Sequence, residues 1–432
     1  MSSLMEHWFE PNLPWHMIHP LPAMLEKQPT LLIGEVAFIM LATVGLVHAM
    51  ANGRQHVLLW FAALIGGCFN DIFFMVLPFV DNFWHAQCFI MLSPRLPLYI
   101  LGVYIAFVYY PIVASWRLAR PPLARFAASG LTAGLLYAPF DCTGAKFLWW
   151  TWHDTSADVE VRWLGVPFGS TMFTIMQTFG VHVLLHYSAL TAPKLSNGRF
   201  IASLTLVALL GTPLMMTTMT PFNLLQLKFD PVTGQPTSLP GRPDLPALLL
   251  QTGCLFHAGL LSAYLARADG PAPFLSKARP KDILLFRAAL AYFTLLALVM
   301  ALGDPSRVVA QGVHQQVGRC HVVDYDLSNY SRYKFLCKAD FDEDFHFGCP
   351  AAAAESFPPP QPSWYTICGR AHSNHSRYLF AVIALGVLAS SSLAYMLFGS
   401  VGIKGKPKPG GSATGGGPRV TTRSSAKKPK KD

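Results

Sequence analysis

An all-α, polytopic membrane protein is predicted by three features of this 432-residue chain: 52% hydrophobic residues, only 13% charged ones, and apolar windows that recur from Leu31 almost to the C-terminus. A soluble domain carries roughly 25% charged residues, and about 20 apolar residues suffice to cross a bilayer core of about 30 Å. Hydropathy predicts about nine spans, near residues 31–52, 57–80, 96–116, 124–143, 165–188, 200–222, 245–266, 283–303 and 378–399. The organisation that follows is an N-terminal segment (1–30), an eight-helix membrane domain (31–303), a cysteine-rich loop (304–377), a ninth helix (378–399) and a basic tail (400–432).

The net charge of +10 is misleading as a whole-chain property. Nine basic residues and one acid between Lys404 and Asp432 give +8, leaving +2 for the rest. No basic stripe interleaved with aromatics lies outside this tail, which argues against a nucleic-acid partner. The basic residues of the linkers alternate instead. Arg54, then Arg117, Arg120 and Arg125, then Lys194 and Arg199, then Arg267, Lys277, Arg279 and Lys281 mark every second linker. The positive-inside rule puts these linkers and the tail in the cytosol. The N-terminus is expected to be lumenal, since no basic n-region followed by an apolar h-region precedes the first helix.

Two features of the opposite side agree. Residues 304–377 hold Cys320, Cys337, Cys349 and Cys368, an even set that an oxidising lumen would close into two disulfides. Four cysteines allow three pairings, and sequence does not choose among them. The same loop carries the glycosylation sequons at Asn329 and Asn374. It reads as a loop-rich, disulfide-stapled cap without a core of its own. Lys428, Lys430 and Lys431 near the carboxyl terminus resemble the dilysine address by which coat proteins return membrane proteins to the endoplasmic reticulum. The expected location is therefore that membrane.

Ionisable and amide groups inside a bilayer are costly, so each is a functional candidate. They gather toward the lumenal end: Glu35 on the first span, Asn70 and Asp71 on the second, Asp141 on the fourth, and Asp81, Asn82, His85 and Gln87 in the linker beyond the second. His153 beside Asp154 forms a candidate proton relay, followed by Arg162 as an anion anchor. Trp149, Trp150, Trp152 and Trp163 suit a membrane interface and would keep water from such a pair. His182 and His186 share one helix face, as metal ligands would, but a single such pair reads as interhelical hydrogen bonding, and no metal is assigned. Gln177 and Gln251 read the same way. No cofactor is identified, and no nucleotide loop or serine-hydrolase elbow is present.

The densest block runs from Tyr137-Ala138-Pro139-Phe140-Asp141 through Leu148-Trp149-Trp150-Thr151-Trp152-His153-Asp154 to Gly165-Val166-Pro167. It resembles the signature of a family of uncharacterised eukaryotic multi-spanning membrane proteins. More remotely, an Asp followed by Trp-x-Trp and Gly-Val-Pro is similar to carotenoid-hydratase-type membrane proteins. That second resemblance implies an isoprenoid or sterol-like substrate, with Asp141 and the Gly165-Val166-Pro167 turn as matched positions.

These readings converge on a lipid- or isoprenoid-modifying enzyme working by acid/base chemistry. Asp71, Asp141, His153 and Asp154 are the catalytic candidates, and Glu35, Asn70, His85, Arg162 and Trp152 the substrate-binding ones. The alternatives are a transporter or channel lined by the same acids, and a non-catalytic lipid-binding or assembly protein that uses its cap as the partner surface.

Overall fold

The computed structural model describes residues 15–77, 80–191, 194–224, 243–265, 280–327, 330–349 and 363–398. The basic tail with its terminal lysines, Asn329, Arg267, Lys277 and Arg279 lie outside the described residues. A short helix α1 (Leu21–Lys27) leads into α2 (Pro29–Asn52) and α3 (Arg54–Val76), which are followed by α4 (Leu98–Trp116), α5 (Pro122–Lys146) and α6 (Phe168–Leu190). Next come α7 (Asn197–Leu224), α8 (Leu245–Leu265), α9 (Asp282–Leu302) and α10 (His375–Phe398). Eight of these, α2 to α4 and α6 to α10, are long and apolar enough to cross a membrane. Large apolar side chains point outward from them, among them Val36, Leu209, Leu249, Phe256 and Phe380. Such a surface belongs in lipid.

The span expected at 124–143 is α5, and it differs from the other long helices for a physical reason. It packs against α4, α6, α8, α9 and α10, so protein rather than lipid surrounds it. A helix enclosed in this way can carry polar groups, and α5 buries Ser129, Thr132, Asp141 and Thr143. The core beside it is aromatic. Phe38 of α2 meets Phe140 of α5 edge-on at 4.7 Å between ring centroids, Phe107 of α4 at 5.8 Å and, tilted, Tyr292 of α9 at 5.4 Å.

The expectation of an all-α chain needs correction: the protein is mostly helical, with short strands gathered at one end of the bundle. Strand β1 (Phe83–His85) pairs antiparallel with β2 (Trp150–Trp152), and β3 (Arg162–Trp163) with β4 (Val166–Pro167). In the loop before α10, β5 (Val309–Val313), β9 (Trp364–Gly369) and β8 (Phe345–His346) form a three-stranded antiparallel sheet in the order β5-β9-β8. A separate pair joins β6 (Val323–Tyr325) to β7 (Ser331–Tyr333). Apolar pattern had marked this loop as irregular because each strand is only two to six residues long. Its two disulfides are sequential, Cys320–Cys337 and Cys349–Cys368.

This cap is docked, not tethered. The buried Lys146 at the end of α5 donates to the Asp344 carboxylate, Arg162 forms a two-pronged pair with Glu343 at 2.8 and 3.1 Å, and Arg332 donates to the Asp81 carbonyl at 2.9 Å. The Gln87 amide donates to Gln311 O at 2.8 Å, which carries backbone bonding from the β1 linker into β5. Two-pronged guanidinium–carboxylate contacts fix orientation as well as distance.

At the other end of the bundle lies a buried ionic cluster. His48 Nε2 meets Asp282 Oδ1 at 2.9 Å, and Arg117 reaches both Asp282 oxygens at 2.8 and 2.9 Å. It ties α2, α4 and α9 together where the chain reverses. His182 belongs to the same end. Its Nε2 accepts from Trp116 Nε1 at 3.1 Å and its Nδ1 meets Ser129 Oγ at 2.9 Å, so both ring nitrogens serve helix packing.

Candidate functional site

Between the bundle and the cap lies a cavity of about 380 Å³. Its roof follows from strand periodicity. Side chains two apart on a strand share a face, and cross-strand partners stand side by side. The register Phe83↔Trp152 and His85↔Trp150 therefore puts Phe83, His85, Trp150 and Trp152 on one face, and all four line the cavity. The intervening Trp84 points the other way and packs on Val313 and Trp364 of the cap. Gly144 makes room for this roof: a Cβ there would lie 2.1 Å from the Trp150 ring.

The walls are helical and largely apolar. Ile100, Val103 and Phe107 come from α4, Phe173 from α6, and Met215, Met216 and Met219 from α7. Within α4 the turn Ile105–Tyr109 is a π turn, which widens the helix by one residue and strands a carbonyl. Thr178 of α6 answers it, donating to Phe107 O at 3.0 Å. Asp158, Asn82 and Tyr330 contribute from the cap side.

One wall carries a polar cluster. Tyr104, just before the π turn, donates through its hydroxyl to Asp71 Oδ1 and accepts from Asn70 Nδ2 at 2.8 Å, while Thr212 of α7 donates to Asn70 Oδ1 at 3.0 Å. Gly67 permits this approach, because a Cβ there would lie 2.2 Å from Tyr104 Cγ. Asp71 is 2% exposed, and its second oxygen, Oδ2, has no hydrogen-bond partner among the described residues. The same holds for both amide atoms of Gln177, both nitrogens of His85 and the indole N–H groups of Trp150 and Trp152. All of these residues line the cavity. Buried polar groups are almost always satisfied, so this concentration of unspent donors and acceptors around one void makes it the candidate site.

Electrostatics at the roof refine the picture. Burial, reinforced by Arg95 near by, drives the His85 pKa down to about 3, so this imidazole is neutral and offers one donor and one acceptor. Asp158 is reached from the cavity yet enclosed by protein, and burial with the neighbouring Asp326 pushes it up to about 6 against the pull of Arg332. No lysine or arginine is among the described cavity-lining residues.

The residues singled out by sequence thus separate into groups. Asn70, Asp71, His85 and Trp152 meet at the cavity. Asp141 stands one hydrogen bond behind its wall, accepting from Ser170 Oγ at 2.6 Å, with the lining Tyr137 beside both. Glu35 does not join them: its carboxylate accepts from the Phe89 and Ile90 amides at 2.9 and 3.3 Å and fastens the loop after β1. His153, Asp154 and Arg162 also lie apart. His153 Nδ1 accepts from the Thr155 amide at 3.2 Å, and burial with Arg332 and Arg162 near by holds the ring neutral. Asp154 turns instead toward Asp342 and Glu343, the three offering carboxylate oxygens within 4.8 Å of one another. Arg162 already pairs with Glu343 there, so the acids serve cap docking. Asn374 is exposed and caps α10, its Oδ1 accepting from the Arg377 amide at 3.0 Å.

Tyr104, Ser170 and Asp158 are site residues that sequence reading passed over, and Gln177 was read as interhelical glue. Tyr104 is one of four tyrosines on α4, with Tyr99, Tyr109 and Tyr110, so residue type alone does not set it apart.

A family model described as a domain of unknown function, DUF7802, matches residues 15–398. The chain belongs to the DUF7802 family. That match takes in every described helix and strand of this DUF7802 chain. No curated protein and no solved structure matches it.

Proposed function

We propose that this DUF7802 chain binds a lipid- or isoprenoid-class molecule in the cavity beneath its cap and exchanges a proton with it through Asp71. The observation that carries the reading is the asymmetry of that carboxyl group: Oδ1 is held by Tyr104, while Oδ2 is unpartnered among the described residues at an aromatic-walled void. A positioned carboxyl beside the reacting atom is the general arrangement of acid/base catalysis. Cavities of about 300–1,000 Å³ with apolar walls and a few convergent polar groups are the usual form of small-molecule sites. Asp141, through Ser170 and Tyr137, acts from behind the wall as a positioning residue.

The membrane reading extends to nine crossings, the cap lumenal and the tail cytosolic in the endoplasmic reticulum. The β1–β2 pairing supports it: the ends of α3 and α5 lie on one side, so α4 and α5 between them make a return trip. A 25-residue helix is about 37 Å long, enough for a crossing. Two disulfides suit the oxidising side for the cap.

The test is untargeted lipidomics of cells lacking the protein, rescued by wild type or by Asp71→Asn. A lipid that accumulates without the protein and falls only with wild type is expected. Equal rescue by Asp71→Asn overturns the proton-exchange reading, and protease protection of the cap in sealed microsomes checks the topology.

A further inference from the structure

Several acids among the described residues face cations, and those that rely on other partners are informative. Asp282 faces Arg117 and His48, Asp344 faces Lys146, Glu343 faces Arg162, and Asp81 faces Arg95 and Arg332. Glu35 is satisfied by two backbone amides, and Asp141 accepts from the Ser170 hydroxyl at Oδ2 only; neither residue is among the described lining of the void. Asp71 alone among these stands at the cavity, held by the Tyr104 hydroxyl on one oxygen and without a hydrogen-bond partner among the described residues on the other. A carboxylate buried without a counter-charge is strongly disfavoured, so such a group either holds a proton or meets a partner that brings the opposite charge.

The rest of the lining fits such a partner. Among the described lining residues the acids are Asp71 and Asp158, with no lysine or arginine, so the site disfavours phosphate and carboxylate head groups. Tyr104, Phe107, Tyr137, Phe140, Trp150 and Trp152 bring aromatic rings to the same void. Ring faces attract ammonium and quaternary ammonium groups, and desolvation strengthens the attraction.

We propose that the molecule this cavity takes is an amphiphilic amine, its ammonium set against Asp71 Oδ2 among the aromatic rings and its apolar part along the methionine and phenylalanine wall. This deepens the preceding reading and rests on it for the cavity being the ligand site. Gln177 and neutral His85 then offer hydrogen bonds to a neighbouring hydroxyl or carbonyl of the same head.

The experiment uses the full chain in lipid nanodiscs and the saturable binding of tritiated dodecylamine, counted against empty nanodiscs. Competitors are dodecyltrimethylammonium, dodecanol and dodecanoate, which share the tail and differ at the head. The expected result is that the two cationic heads compete at least about tenfold better than the alcohol or the acid. Asp71→Asn is expected to erase that difference, and the wild-type competition series decides the matter by itself if this variant fails to fold. Dodecanol competing as well as the amine overturns the charge inference while leaving the cavity as a ligand site. Absence of saturable binding by all four overturns both.

Discussion

The Tyr104 hydroxyl donates to Asp71 Oδ1 while accepting from Asn70 Nδ2, so one phenol orders both polar residues of the α3 wall. Replacing it by phenylalanine keeps the ring but leaves two buried groups without this partner, at a cost of about 1–3 kcal/mol. Tyr104→Phe is therefore expected to lower the melting temperature of the protein in nanodiscs. Gly67→Ala reaches the same ring from behind, 2.2 Å from Tyr104 Cγ, and overpacking of this kind costs about 1–3 kcal/mol. Unchanged melting of both variants would show that the cluster does not hold Asp71 in place.

The second prediction concerns the opposite end. Asp282 lies in the first turn of α9, fully buried, and compensates Arg117 and His48 across three helices. Removing one partner of a buried pair leaves an uncompensated charge and costs about 3–5 kcal/mol. Asp282→Ala is expected to destabilise the protein by about that amount in thermal or denaturant unfolding. Loss of the His48 contact alone, in His48→Ala, leaves the Arg117 pair intact and is expected to cost less.

Helices such as α2 and α9 are legible in sequence because lipid exposure demands an unbroken apolar run. The partners of polar residues are not legible, because they depend on which helices become neighbours. His48 and Asp282 are 234 positions apart and meet only because α2 packs on α9. The gathering of polar residues near one end was visible, yet Glu35 and Arg162 fasten loops while Asn70, Asp71 and His85 face a void, and residue type does not separate these roles. The Trp150-Thr151-Trp152 alternation did carry the roof of the cavity. It reads as an aromatic belt until its strand pairing with Phe83–His85 is known.

Cap docking should depend on pH through Asp154. Burial, with Glu343 and Asp342 near by, lifts its pKa from an ordinary value near 3.8 to about 7, Arg162 opposing. A carboxyl with a raised folded pKa holds its proton more tightly when folded, so its stabilising contribution is complete below about pH 4 and is lost as pH rises through about 7. The melting temperature of wild type is thus expected to fall, relative to Asp154→Asn, between pH 5 and pH 8, checked by unfolding in nanodiscs across that range. Burial also lifts Glu343 against Arg162, and this background slope remains in the variant, so the difference between the two proteins isolates Asp154. Parallel curves would remove Asp154 from the pH dependence.

Gln177 separates a ligand site from ordinary helix packing. It is 3% exposed, and neither atom of its amide has a hydrogen-bond partner among the described residues. An amide kept for interhelical bonding stabilises the fold, and its loss should cost stability. An amide kept for a ligand burdens the empty protein, since an unsatisfied buried polar group costs about 1–3 kcal/mol. Gln177→Leu, nearly equal in volume, is therefore expected to raise the melting temperature of the ligand-free protein while weakening retention of the bound amphiphile. Stability gained at the expense of function is the usual signature of a working site. A lower melting temperature with unaltered binding would return Gln177 to the role of helix packing, and the two measurements on one variant distinguish these outcomes directly.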